Sequence, residues 1–378
     1  MTKNNECSKG NIVPYDIVKQ AYKDTQRGSK KFKKEAILFD MCRERNLVQL
    51  WRDLNNDDYE VGDYIRFKVY EPKERVISAP RIVDKIVQFI LHYQIVEIYD
   101  PIYIKGSFAC QKGKGTHKSV EHLQHAMKVC KWKYGEENCV IIKADVRKFF
   151  YSIDRDILKK VLAKKVKDET LLKRLFKVID SSPEGETGIP LGNVTSQDFA
   201  NIYLNELDQY CVRYLGIKYY TRYMDDVVII VPPKIQVVDG VKMVEIKALD
   251  RAREWLDKIK KYLNEKLNLK TNDKTQIFPL SQGVNAFGFK IHTTHRLVRD
   301  QSKRAMKRRI KAMDKKLQND EIELKEITQA VNSWLGHARH SNSYNLAKKI
   351  FAAYSYIKVE GEIYFGGIFR NSIPRGSV

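Results

Sequence analysis

The sequence has no pair of cysteines at C-x-x-C spacing. Its six, Cys7, Cys42, Cys110, Cys130, Cys139 and Cys211, are scattered. That argues against a disulfide framework or a zinc ribbon and fits the reduced thiols of the cytoplasm. No apolar run approaches the ~18 residues of a spanning helix, and the polar start MTKNNECSKG has no signal-peptide core. The expectation is a soluble, cytoplasmic chain with no membrane partner. Acidic residues are under-supplied: Asp and Glu total 47 against 69 Lys and Arg, a net charge of +22. Such a surplus favours a polyanionic partner, with nucleic acid first. Three H-x-x-H spacings occur, His122/His125, His292/His295 and His337/His340. None has a second ligand pair at zinc distance, so surface or backbone-contacting histidines are the expectation.

At 378 residues the chain is long enough for two or three lobes. Lysines and arginines run through residues 19–45, where Ile37, Leu38, Met41, Leu47 and Leu50 recur at helical spacing, which predicts helix with a solvated basic face. IRFKVY, EPKE and RVIS over 65–78 predict a hairpin with cations near its tip. DKIVQFILHYQIVEIY predicts an apolar helix over 84–99, followed by a Gly- and Lys-rich loop at 111–117. CVIIKAD is a short β-branched run ending in Asp145, with a helix expected over 154–166. A further helix is expected from Ser196 to Leu215, after the loop TGIPLGNVT. KYYTRYMDDVVIIV then gives two β-prone runs flanking Met224, Asp225 and Asp226, hence a hairpin with acids at its turn. A helix over 250–267, strands at 276–278 and 286–292, and a basic helical lobe from Ser302 to about Tyr356 complete the reading.

Two β elements some eighty residues apart thus deliver Asp145 and the pair Asp225/Asp226 to strand ends. Clustered carboxylates repel unless cations sit among them. Magnesium takes oxygen ligands and keeps positions open for phosphate, so the pattern points to nucleotidyl transfer with two metal ions. Asp145 and Asp225 would bridge the ions and Asp226 would support them. An Asp-Asp dipeptide alone is also an ordinary hairpin turn.

The surrounding motifs decide between these readings. Tyr223-Met224-Asp225-Asp226 resembles the YMDD box of reverse transcriptases, and Asp145-Val-Arg-Lys-Phe-Phe150 resembles that family's acid motif. The resemblance implies an α+β right-hand polymerase with fingers, an antiparallel palm sheet and a helical thumb. It implies metal positions at Asp145, Val146, Asp225 and Asp226, with two Mg2+ ions and Mn2+ as a substitute. Phe150 is implied as the gate that excludes a ribose 2′-hydroxyl. Arg75-Val-Ile-Ser-Ala-Pro-Arg81 is similar to the fingers hairpin that grips the incoming triphosphate, with Arg75 the best match and Lys73 and Arg81 beside it. Leu269-Lys-Thr-Asn-Asp-Lys274 resembles the motif whose lysine protonates pyrophosphate, and lysine is a competent acid at neutral pH. Asn285-Ala-Phe287-Gly288-Phe289 looks like a primer grip, a tight Gly-containing strand. The basic helices after Ser302 correspond to a thumb that tracks phosphates. Boundaries are expected at 1–138 for N-terminal basic helices and fingers, 139–295 for the palm with an insertion near 160–185, and 296–378 for the thumb and tail.

The loop Gly188-Ile-Pro-Leu191-Gly192-Asn-Val-Thr-Ser196-Gln197 is the most discriminating passage. Intron-encoded and retroviral enzymes usually have Gln where Leu191 stands, and intron enzymes have Ser-Pro where Ser196-Gln197 stands. An aliphatic residue followed by Gly-x-x-x-Ser-Gln resembles the reverse transcriptases of diversity-generating retroelements. Leu191, Gly192, Gln197 and Tyr223 are accordingly expected around the nucleotide. Membership implies error-prone cDNA made from a template-repeat RNA, with misincorporation opposite adenine, dNTPs as substrates and a small, basic, multimeric accessory variability protein as partner. Asp198 is an unexpected acid at the helix start. An antiphage or retron-type polymerase and a non-catalytic RNA-binding scaffold are the rival readings. Intact acids weigh against the scaffold, since unpaired carboxylates weaken a phosphate groove unless metal is used.

Overall fold

The computed structural model describes residues 12–70, 74–238 and 241–354. The chain divides into two compact units, one of Met1–Gly113, Ala144–Val227 and Glu254–Thr275, the other of Lys114–Lys143, Val228–Arg253 and Gln276–Val378. The class is α+β, as expected, with antiparallel strands consistent with the right-hand polymerase fold.

In the first unit the apolar run at 84–99 forms the helix Ile82–Tyr99, which buries Ile86, Val87, Ile90, Leu91, Ile95 and Tyr99. It packs against the N-terminal helix Tyr15–Thr25 and against Val194–Gln209, whose buried face carries Phe199, Ile202, Tyr203 and Leu207. Burying side chains of this size stabilises by about 1.5–3 kcal/mol each, which explains why a helix apolar almost all round sits at the centre. Asp154 and Asp168 cap the helices Arg155–Lys165 and Glu169–Asp180 by accepting from backbone N–H groups of their first turns. The expected hairpin is present: Ile65–Val69 pairs antiparallel with Arg75–Ala79, Ile65 opposite Ala79 and Val69 opposite Arg75.

The basic N-terminal stretch departs from the expected helical stripe. It breaks into Tyr15–Thr25, a 3-10 turn Gly28–Phe32, and the helices Lys34–Met41 and Arg43–Asn55. Leu47 and Leu50 are buried, but Ile37, Leu38 and Met41 are exposed, and Ala36 and Phe39 turn inward instead. The non-helical backbone at Cys42 resets the phase between the two helices, so one periodic stripe cannot run through both. The helix expected to reach Leu215 ends at Gln209 and continues as a π-turn, Tyr210–Tyr214.

In the second unit the helix Thr116–Tyr134 packs on a three-stranded antiparallel sheet of Val284–Ala286, Phe289–Ile291 and Arg296–Val298, with Phe289–Ile291 central. The segment expected as one strand over 286–292 is thus broken by a hairpin turn between Val284–Ala286 and Phe289–Ile291: Phe287 and Gly288 are its two residues, both at positive φ (49° and 90°). The basic lobe is three helices, Asp300–Gln318, Leu324–Ala338 and Tyr344–Phe351, closed around Met306, Ile310, Ile327, Val331, Leu335, Ile350 and Phe351. The tail after Tyr356 lies outside the described residues. No helix among the described residues is long and apolar enough to cross a membrane.

Candidate active site

The acids sit on a four-stranded sheet in the order Tyr220–Tyr223, Asp226–Val231, Val140–Asp145, Gln276–Pro279. Val140–Asp145 buries Ile141 and Ile142 and ends in a half-buried Asp145. Tyr220–Tyr223 and Asp226–Val231 form the expected hairpin, with Met224 in the left-handed region (φ 52°) and Asp225 completing the turn. The turn brings the carboxyl of Asp225 into hydrogen-bonding range of Asp145. Burial, then the negative charge of Asp145 and that of Asp226, lift the Asp225 carboxyl from the ordinary range to about 6. Asp226 begins the next strand and acts on this pair through its charge. Among the described residues no three acid, histidine or cysteine side chains are arranged to hold a metal ion, so the pair Asp145/Asp225 is what the fold brings together.

Two carboxyls held this close, one already resisting ionisation, are a site short of positive charge. All their donor atoms are hard oxygens, which suits Mg2+. The residues present therefore fit the divalent ions expected.

The chain near Asp145 is held by the segment after the helix Ala248–Leu267. Val146 bridges to Thr271, the Asn272 backbone N–H donates to the Asp145 carbonyl at 2.7 Å, and Asn272 Nδ2 donates to Asp145 Oδ2 at 3.2 Å. Lys274 stands on the exposed turn that follows, its own N–H donating to Asn272 Oδ1. Phe150, on the short helix Phe149–Ser152, is half-buried and lies edge-on to buried Phe149.

The discriminating loop is fastened on two sides. Ile189 N–H donates to the Phe150 carbonyl and Gly188 N–H to the Ile153 carbonyl, while the Leu191 carbonyl accepts from Ser78 N–H at 2.8 Å. A Cβ on Gly188 would stand 2.9 Å from Tyr151 Cα at a φ of 93°, so only glycine serves there. Arg155 holds the approach to this loop by donating to the carbonyls of Glu184, Gly185 and Gly188. Leu191 and Gly192 thus lie between the hairpin strand of Ser78 and the helix of Phe150. Gln197, exposed, accepts from Cys110 Sγ. Arg75 is exposed at the start of its strand, and Arg81 is exposed at the N-cap of Ile82–Tyr99. Lys73 lies outside the described residues. Tyr223 is half-buried at the end of its strand. Asp198 finds its reason in His92, whose Nδ1 lies 2.8 Å from the Asp198 carboxylate. That bond raises the imidazole's pKa, while burial pushes the acid up.

In the second unit the Phe287-Gly288-Phe289 turn packs inward. Phe287 and Phe289 are buried, and Phe289 stacks on His337 at 4.4 Å between ring centres. His117 stacks on His340 at 3.5 Å, and His292 on His295 at 4.5 Å. His292 and His295 are therefore packing partners of each other, while His337 and His340 sit in separate stacks on Phe289 and His117.

Sequence reasoning passed over Arg222 and Asp208, which form a fully buried ion pair beneath the acidic turn, with Arg222 Nη2 2.6 Å from Asp208 Oδ2. The available signal was a charge at an inward position of an otherwise uncharged strand.

Residues 68–291, more than half of the chain, match the family described as "Reverse transcriptase (RNA-dependent DNA polymerase)". The chain belongs to that family. It is 30% identical over 141 residues to an uncharacterised 91 kDa protein in the cob intron of Schizosaccharomyces pombe, covering 35% of this chain and 16% of that protein. It is 22% identical over 148 residues to the group II intron-encoded protein LtrA of Lactococcus lactis subsp. cremoris, covering 37% and 23%. The reverse transcriptase chain thus spans about a sixth to a quarter of the length of these relatives. A telomerase from Candida tropicalis, solved with a fragment of telomeric RNA, is similar at 13% identity and a TM-score of 0.49, over 83% of this chain and 59% of that one.

Proposed function

We propose that this reverse transcriptase is an active RNA-directed DNA polymerase, a nucleotidyltransferase that extends a primer with dNTPs along an RNA template. The carboxyl pair Asp145/Asp225, at the strand-end edge of the sheet, carries this reading, because it combines proximity with a raised Asp225 and therefore has a use for cationic charge. Bound there, two Mg2+ ions, or Mn2+ in their place, supply activation of the primer 3′-hydroxyl and stabilisation of the leaving pyrophosphate. Asp145 and Asp225 would hold them, with the Val146 backbone and Asp226 in support, and Asn272 orients Asp145 through its amide. Arg75, Arg81 and Lys73 supply charge for the triphosphate, and Lys274, on its exposed turn, supplies a proton to pyrophosphate. Phe150 closes the space where a 2′-hydroxyl would lie. In the fingers, palm and thumb scheme, residues 1–138, 139–295 and 296–378 take those roles. Phe287–Phe289 act as primer grip through the shape of the turn, since both phenylalanines are buried.

The finer reading is a diversity-generating retroelement enzyme making adenine-mutagenised cDNA from a template-repeat RNA, with a small basic accessory protein as partner. It is supported by Leu191, where a glutamine amide would otherwise stand, in a loop fixed to the Phe150 carbonyl and to Ser78. An alkyl group cannot police pair geometry by hydrogen bonding. The test is dNTP incorporation on a primed RNA template, with the product sequenced. Errors concentrated opposite adenine are expected; accurate cDNA would leave only the polymerase reading, and no cDNA with either native RNA or accessory protein present would defeat both.

A further inference from the structure

Every N–H donor of Arg222 is spent on a partner within the first unit. Nε donates to Asp208 Oδ1 at 2.7 Å and Nη2 to Asp208 Oδ2 at 2.6 Å, a two-pronged pairing of guanidinium and carboxylate. Nη2 also reaches Ser107 Oγ at 3.0 Å, and Nη1 reaches Asn201 Oδ1 at 3.1 Å. The remaining bond runs from Nη1 to the carbonyl of Met224 at 3.0 Å. Met224 is the left-handed residue of the acidic turn, a conformation that strains a non-glycine backbone and persists only where surroundings hold it.

The partners of Arg222 are themselves fixed. Tyr220 Oη donates to Asp208 at 2.7 Å, and Asn201 Nδ2 donates to the Ala109 carbonyl at 2.7 Å. Ser107 lies in a segment bridged to the strand at Arg222, with Arg222 N–H donating to the Gly106 carbonyl and Phe108 N–H to the Arg222 carbonyl. Arg222 and Asp208 both have fully buried side chains. A buried ion pair is a poor device for stability alone, since apolar packing does as well at lower desolvation cost. What a hydrocarbon cannot do is donate to a backbone carbonyl.

We propose that Arg222, oriented by Asp208, is a positioning residue that sets the Met224–Asp225 turn and so fixes where the Asp225 carboxylate meets Asp145. It touches no substrate; it acts through one carbonyl. Lysine keeps the charge but lacks the planar fork, so it cannot satisfy both oxygens of Asp208 and reach Met224 at once. The catalytic consequence rests on the polymerase reading, whereas the geometric one does not.

The experiment compares the full chain with Arg222→Lys by amide hydrogen exchange at the 223–227 turn and by primer extension over a Mg2+ titration. The turn is expected to exchange about tenfold faster while the helix Ile82–Tyr99 keeps its protection. kcat is expected to fall on the order of 100-fold, as for a misplaced catalytic group, with dNTP KM nearly unchanged and a higher Mg2+ requirement. A folded Arg222→Lys chain with wild-type exchange at the turn and wild-type Mg2+ requirement overturns the proposal. Should that variant not fold, Tyr220→Phe removes only the hydroxyl that steadies Asp208; faster turn exchange supports the proposal and unchanged exchange overturns it. Exchange needs no turnover, so a wild-type chain that makes no DNA even with native RNA and accessory protein supplied defeats the polymerase reading and leaves this one decided by the turn.

Discussion

Replacing Gly106 by alanine tests whether the segment before Phe108 is docked as tightly on the acid-bearing hairpin as its hydrogen bonds imply. A Cβ at Gly106 would stand 2.3 Å from the carbonyl oxygen of Tyr220, and that oxygen is backbone, so it cannot swing aside. The segment must lift away from the strand. Doing so strains the two backbone bonds, Arg222 N–H to Gly106 O at 2.8 Å and Phe108 N–H to Arg222 O at 3.1 Å. At about 1 kcal/mol each, with an overpacking cost of about 1–3 kcal/mol, the loss is on the order of 3–5 kcal/mol. For a unit of this size that lowers the melting temperature by roughly 10 °C. Gly336→Ala is the matched control: the glycine lies within the helix Leu324–Ala338 and its Cβ would meet nothing within 4 Å. There the same methyl removes a helix-interior glycine and should stabilise by up to about 1 kcal/mol. Thermal unfolding of both variants, followed by circular dichroism, decides the matter. A Gly106→Ala chain as stable as wild type would refute the close docking of this segment.

Three further outcomes are expected. Burial lowers the pKa of His117, His337, His340 and His292; a neighbouring histidine pushes the last three the same way, and Arg339 and Arg296 do so for His117. Groups depressed below the free value near 6.5 contribute stability that is complete above that pH and is lost as pH falls through their folded pKa. The melting temperature should therefore drop between pH 7 and 5, and His340→Phe, which keeps a ring on His117 but cannot charge, should flatten the profile; an unchanged slope would count against the stack. Asn272→Ala removes the amide donated to Asp145 and should lower kcat about tenfold with little effect on stability, as measured by steady-state extension. Leu191→Gln should reduce misincorporation opposite adenine, read by sequencing the cDNA; an unchanged error spectrum would remove that explanation of infidelity.

Much of the site was legible because its signals are local. Asp145 and Asp225 announce themselves as acids at the ends of β-branched runs, and strand geometry alone puts them at strand ends. The apolar helix at 84–99 and the first helix of the basic lobe were equally plain, since each is one uninterrupted periodic run. What sequence reasoning missed depends on register between distant segments. Arg222 meets Asp208 only because a strand folds under the helix that precedes it, and no spacing rule connects those positions. Ile37, Leu38 and Met41 misled for the opposite reason: a local stripe was read through Cys42, where the helix breaks. Phe287-Gly288 looked like strand because the flanking residues are β-prone, yet two successive positive φ values make it a turn.

Primer extension over a primed RNA template, with Mg2+ or with a chelator, tests the role of the carboxyl pair most directly, for wild type beside an Asp225→Ala/Asp226→Ala double variant of unchanged fold. The prediction is DNA synthesis that vanishes both on chelation and in the double variant. Synthesis that persists in the variant would place the chemistry elsewhere and contradict the role given to the carboxyl pair.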